Sequence, residues 1–310
     1  MLRCGRVENH RRGWWEMKVS LLCLALLCSS TASHGQGPFS TDEALKQLYH
    51  EYDPATKTAQ WVCTKEQQSK GPDGLCQYLE EGNLKENHTV SVSVLFTAQV
   101  PEGDATRIYL ATSAKPARYL GEYDCHACAP AIGAAVYVWR GQHWELESAN
   151  AAAEFLGGFG EPPRTDLITI GPQKHGLLLS LTDMGQGYVS SFKGLLAPRG
   201  KTVEEIWNVE DESDDFGAID PDDKSNSPIP CRSSAAFRFL TGDDGAANRD
   251  GAGDHYDIEV ISRGSSWQDY SHPVKRENWT EIYTFKDGKY RLLRRTVFAE
   301  VKNPGKAAKR

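Results

Sequence analysis

The spacing of apolar residues changes along this chain, and the change divides it. Ala44, Leu45, Leu48, Tyr49 and Tyr52 recur at helical spacing, which predicts a short amphipathic helix ending near Tyr52. Ser40 stands three residues before Glu43, a capping-box signature for the start of that helix. Asp53-Pro54 ends it, because the residue before a proline avoids helical geometry. From Val90 the period becomes two, with Val90, Val92, Val94 and Phe96 interleaved with Ser91, Ser93 and Leu95. A turn at 101–104 and a second apolar run at 107–111 complete a strand–turn–strand pattern. Further strand runs fall at 135–140, 144–147, 167–170, 177–181, 188–192, 235–240, 256–262, 280–285 and 290–297. No helical pattern alternates with them, which argues against a parallel sheet. The expected fold is mainly β: an antiparallel, sandwich- or barrel-like sheet with a short N-terminal helical segment.

Two stretches resemble each other. Residues 136–146 and 282–292 both run aromatic strand, glycine turn, aromatic, second strand. One resemblance without a sustained period is explained by the shared requirements of tight hairpins rather than by a duplicated domain. Between the halves lies an acidic region with ten carboxylates from Glu204 to Asp223, followed by a Pro/Ser-rich run at 225–230. Such a density of like charge predicts a solvated loop over 204–230. The expected organisation is a helical, disulfide-tied segment at 36–88 and a β domain at 89–302. The acidic loop would split that domain into lobes 89–200 and 231–302, and a frayed basic tail would occupy 303–310.

The beginning of the chain adds a compartment. Met17-Lys18 precedes an apolar run at 19–28 broken only by Ser20, and small residues follow at 29–33. Charge, short apolar stretch and small residues in that order predict a secretory signal peptide, too short to span a membrane. Residues 1–16 then read as an extension from a start codon chosen upstream of Met17. Cys28 follows Leu27, which is too large for lipoprotein cleavage. Without residues 1–35 the chain carries 30 Lys and Arg against 40 Asp and Glu, the wrong field for a nucleic-acid partner. A soluble protein of the periplasm or extracellular space is expected, with no transmembrane segment once the signal is removed.

In an oxidising compartment the cysteines become cross-links. Cys63 and Cys76 flank the turn at 71–74 and are expected to pair. Cys125-His126-Ala127-Cys128 is the sharpest motif. It lacks the histidine after the second cysteine that a c-type haem needs, and the run at 131–136 drifts into a strand instead of opening the helix of a thioredoxin site. A structural disulfide between Cys125 and Cys128 is the leading reading. Behind it stand thiol-redox chemistry and a copper or zinc site using Cys125, His126 and Cys128 with a distant His143 or His175. Cys231 is left over, or an alternative partner for either motif cysteine.

Residues 242–254 faintly resemble a calcium loop, with Asn248, Asp250 and Asp254 as ligand candidates. Ala246 at the first ligand position removes a charged oxygen, so a polar loop is the simpler reading. The glycine clusters at 157–160 and 185–187 read as a helix stop and as a bulge or tight turn, not as phosphate cradles. No nucleophile elbow or zinc-protease motif is present, and no residue is assigned a catalytic role. The leading expectation is a non-catalytic envelope or secreted protein that binds an unidentified protein or envelope ligand. The alternatives are a metal-handling or thiol-redox protein centred on 125–128, and a periplasmic hydrolase whose carboxylates or histidines converge only in the fold.

Overall fold

A computed structural model describes residues 37–63, 75, 89–117, 125–215, 217, 232–241, 254–266 and 275–300. The expected signal peptide, the 71–74 turn, Cys76, Cys231, Asn248, Asp250 and the tail at 303–310 lie outside the described residues.

Helix α1 (Thr41–Leu48) begins where the sequence predicts. The Ser40 side chain accepts a hydrogen bond from the Glu43 main-chain N–H at 3.3 Å, satisfying one of the donors a helix start leaves open. The helix ends at Leu48, short of Tyr52, because Tyr49 turns extended and its N–H closes on the Leu45 carbonyl. Tertiary contacts take over from there. The Tyr49 hydroxyl meets Thr112 Oγ1 at 2.6 Å in the interior, and Tyr137 donates to the Ala44 carbonyl at 2.9 Å.

The strands are β1 (Thr58–Gln60), β2 (Thr89–Glu102), β3 (Ala105–Pro116), β4 (Ala131–Arg140), β5 (His143–Phe155), β6 (Arg164–Gly171) and β7 (Lys174–Gly185). They continue with β8 (Tyr188–Arg199), β9 (Thr202–Asp214), β10 (Arg232–Leu240), β11 (Asp257–Ser266), β12 (Lys275–Lys286) and β13 (Lys289–Glu300). Every pairing is antiparallel and between sequence neighbours. Strands β1 to β5 form a five-stranded sheet, and β6 to β13 an eight-stranded one that curls into a half-barrel. The antiparallel, mainly β architecture is the one the alternation predicts.

Three apolar layers hold the sheets. Leu45, Tyr49, Leu110 and Tyr137 pack α1 on one face of the smaller sheet. Tyr109, Ile132, Val136, Leu177, Leu179 and Leu196 fill the space between the sheets. Each such leucine contributes roughly 1.5–3 kcal/mol relative to exposure. Ile170, Leu195, Trp207, Ile258 and Val260 line the inner face of the curl. Its curvature brings the Tyr256 N–H to the Ile170 carbonyl at 2.8 Å and Lys174 to Asp254 at 2.9 Å.

Three expectations need correction. Residues 204–214, assigned to a solvated loop, form most of β9. Cations on neighbouring strands offset the acidic side chains: Arg199 meets Glu204 at 2.9 Å, Lys193 meets Asp211 at 3.2 Å, and Arg232 lies 3.5 Å from Asp214. Val203, Ile206 and Trp207 between them are buried. The eight-stranded sheet therefore runs across the place where the two lobes were to divide, and the change of sheet falls between Phe155 and Arg164. Finally, the glycines at 157–160 follow a strand, not a helix.

The two similar hairpins lie in different sheets and turn differently. Asp287 and Gly288 both have positive φ, as the tightest two-residue turns require, whereas only Gly141 does in the other.

Candidate functional site

The Cys125–Cys128 motif becomes a covalently closed loop at the entrance to β4. The two cysteines form a disulfide with Cα atoms 5.0 Å apart, and the Cys128 N–H bonds the Cys125 carbonyl at 2.9 Å. Residues 157–161, the turn after β5, clasp this loop through the main chain. The Phe159 N–H donates to the Cys125 carbonyl at 3.1 Å and the Gly160 N–H to the Cys128 carbonyl at 2.8 Å. Gly157, at φ +144°, has to be glycine here, because a Cβ would run into the Glu161 carbonyl and the Pro130 ring.

Phe159 itself sits at φ +55°, in the left-handed region, and is 51% exposed. A bulky residue in that conformation costs about 1–2 kcal/mol, and the clasp around it holds it there. Its ring meets the His126 imidazole edge-on at 5.1 Å. His126 Nε2 in turn lies 3.2 Å from Asp183 Oδ1 and 3.3 Å from the Met184 main-chain oxygen, at the tip of the β7–β8 hairpin. That approach needs a residue without a side chain at Gly185, since a Cβ there would meet the imidazole ring.

Three segments distant in sequence thus converge. By the β7–β8 register, Leu181 faces Phe192, Asp183 faces Ser190 and Gly185 faces Tyr188. Tyr188 and Phe192 therefore share the hairpin face whose Asp183 touches the disulfide loop. Phe159, Tyr188 and Phe192 are all exposed, and Met184 is exposed on the opposite face. Solvent-facing aromatics on a fixed frame are suited to burying a partner's apolar surface.

The other sequence candidates are placed as follows. Cys63 is in a disulfide, and Cys76 lies outside the described residues. With both sulfurs of the Cys125–Cys128 motif joined to each other, this oxidised form presents no thiolate to copper or zinc. His143 pairs with Glu145 at the β4–β5 turn, 3.0 Å away. Among the described residues no group of three or more His, Cys, Asp and Glu is arranged to hold a metal. Asp254, the described member of the calcium candidates, is bonded to Lys174 and to His255 at 2.6 Å. Burial works to raise its carboxyl, but those two partners hold it below the usual carboxylate range.

His175 belongs to a cluster that sequence reasoning missed. Arg107 grips both oxygens of Glu147, at 2.7 and 3.0 Å, and donates to the Glu102 carbonyl at 2.9 Å. The Tyr109 hydroxyl donates to Glu102 Oε2 at 2.7 Å, and His175 Nδ1 lies 3.4 Å from the same oxygen. The hydrogen bond from Arg107 holds the Glu147 carboxyl below the usual range, and burial pushes the Tyr109 phenol up. The cluster joins β3 and β5 of one sheet to β7 of the other, and its partners satisfy one another. Its chemistry is that of a latch.

Among the described residues, cavities also lie elsewhere. One of about 490 Å³ borders Asp42, Tyr52 and Lys57, and one of about 340 Å³ borders Phe39, Tyr137, Trp139 and Trp144. In the second, the N-terminal arm is seated on the aromatic hairpin, where Trp144 Nε1 donates to the Gly37 carbonyl at 3.2 Å.

Fold and site together define an antiparallel two-sheet β protein with a disulfide-closed loop beside an exposed aromatic surface. No family model, curated protein or solved structure matches the chain.

Proposed function

We propose that the protein is an exported, non-catalytic binding protein that takes up a partner on the aromatic surface beside the Cys125–Cys128 loop, in the periplasm or extracellular space. The observation that carries this reading is Phe159: an exposed ring held at a costly backbone angle by hydrogen bonds that its turn donates to a covalently closed loop. Strain of this kind is retained where a surface has to present a particular side chain. Tyr188 and Phe192 extend the surface, and rigid aromatics supply contact area at low entropic cost. Export is supported by the leader pattern at 17–33 and by the disulfide.

The test is site-specific photo-crosslinking in the producing cells, with the probe at Tyr188 and, as a control, at exposed Gln142. A discrete adduct from Tyr188 that disappears with Phe159→Ser is expected. Equal labelling from both positions would remove the reading. Fractionation of the same cells checks the compartment, since cytosolic protein with reduced cysteines contradicts export.

A thiol-redox role is a second reading with its own observation. Cys125 is exposed while Cys128 is 2% exposed, so one sulfur is open to attack and the other is shielded. A dithiol would attack Sγ of Cys125 and displace the thiolate of Cys128. Its second thiol would then attack the mixed disulfide and free Cys125 as thiolate. Equilibration with glutathione buffers decides between the readings. A structural disulfide stays oxidised at a potential near that of the compartment, and an exchanging one does not.

A further inference from the structure

We infer that β13 is a docking edge for an acidic, apolar extended segment of another protein, a surface separate from the disulfide loop. Of the four sheet edges formed by the described residues, β13 is the long open one. β1 has three residues. β5 is covered by the β8–β9 turn, where the Ala149 N–H reaches the Lys201 carbonyl at 3.1 Å and Asn150 Nδ2 the Val203 carbonyl. β6 is short, and the Ile170 carbonyl is already taken by Tyr256. Among the described residues β13 pairs with β12 alone, and every residue from Arg291 to Phe298 is exposed.

A free edge presents a row of N–H and C=O groups to any extended chain that can align with it. The side chains on this one state what kind of chain fits. Leu292, Leu293, Val297 and Phe298 are each about half exposed or more, Phe298 reaching 67%. Leu293 and Phe298 have no cross-strand partner, because each falls at a register shift between β12 and β13. The bulges thus turn two extra apolar side chains outward.

Lys289, Arg291, Arg294 and Arg295 make this strand basic, with no acid before Glu300, in a chain where acids outnumber bases 42 to 35. Arg295 is held by Glu281 and lies over the Trp279 ring. Among the described residues, Arg291 and Arg294 have no ion pair. A second copy is the wrong occupant. Antiparallel self-pairing about the middle of the strand sets Arg294 of each copy against Arg295 of the other, and like charges directly opposite are destabilising. Carboxylates alternating with β-branched residues answer both the charge and the apolar positions.

The experiment uses the full mature chain and a fluorescent alternating Val–Glu peptide, followed by anisotropy and by hydrogen exchange. The controls are the Val–Lys peptide, the Val–Glu peptide with a methylated main chain, and phosphatidylglycerol vesicles. Saturable binding with slowed exchange of β13 amides is expected, weakened at least about tenfold by Arg291→Glu with Arg294→Glu, or by main-chain methylation. Leu293→Lys, on the exposed bulge, gives an independent loss without touching the arginines. The inference is overturned by no saturable binding up to about 1 mM, or by equal binding of the Val–Lys or methylated peptide. Vesicle binding lost with the same substitutions would assign the strip to a lipid surface instead. A dimer abolished by them would assign it to self-association.

Discussion

If the clasp around residues 157–161 stores strain at Phe159, glycine and alanine should exchange their usual order there. Phe159→Ala and Phe159→Gly both remove the ring, so the lost contact with His126 and the lost burial cancel between the two variants. What remains is the backbone. At φ +55° an L-residue costs about 1–2 kcal/mol that glycine avoids. Against this, glycine loses more freedom on folding, a disadvantage of roughly 0.5–1 kcal/mol relative to alanine. The balance favours the glycine variant by about 0.5–1 kcal/mol, or about 2 °C in midpoint for a chain of this size. Urea denaturation of both variants at neutral pH measures the difference as a shift in midpoint at constant slope. Gln142, exposed and without positive φ, is the control position, where alanine should be the more stable. An alanine variant at 159 as stable as the glycine variant would show that the angle costs nothing, and the argument from a strained, presented ring would fail.

Other consequences are equally direct. Cys125→Ser with Cys128→Ser should destabilise by about 2 kcal/mol, the chain entropy of so short a ring, read from denaturant midpoints. Gly157→Ala should cost at least about 2–3 kcal/mol, because its Cβ meets backbone and a proline ring at an angle alanine avoids; Gly185→Ala should cost less, since the His126 side chain can swing away. Arg107→Ala should destabilise by about 2–3 kcal/mol by leaving Glu147 part-buried without its partner. The pH dependence has a definite sign. Glu147 has a lowered pKa in the fold, so its stabilisation is complete above the unfolded carboxyl value of about 4.3 and lost as pH falls through the folded one. Between about pH 5 and 2 the native protein should therefore lose more stability than Arg107→Ala. Parallel loss in both would contradict the latch.

The sheet was legible where one side faces water and the other the core. Alternation marks β2 from Val90, and β10 to β13 were found from the same signal. β9 was hidden by its own carboxylates. Glu204, Asp211 and Asp214 look like a repelling run until Arg199, Lys193 and Arg232 are placed on adjacent strands. That information is tertiary, although Val203, Ile206 and Trp207 carried a weaker hint. The Cys125–Cys128 disulfide was the leading reading of the motif, but spacing left Cys231 open as a partner for either cysteine, and the setting of the loop is not written locally at all. Nothing local reveals that Phe159 and Asp183 will meet His126, or that a phenylalanine among glycines is the residue taking the left-handed angle. The Glu102–Tyr109–His175 latch was missed for the same reason, because its members look ordinary until two sheets are stacked.

Among the described residues β9 and β10 are joined at three residue pairs, Arg232 to Ser234 against Asp214 to Glu212, whereas β8 and β9 match along nearly their whole length. Above that short ladder the ribbons are joined by rings instead, with Trp207 packed 5.1 Å from Phe237 and 6.3 Å from Tyr283. Hydrophobic contacts weaken on cooling. The last four strands are thus glued on rather than stitched on, and chilling should loosen this seam before it loosens any other part of the curl.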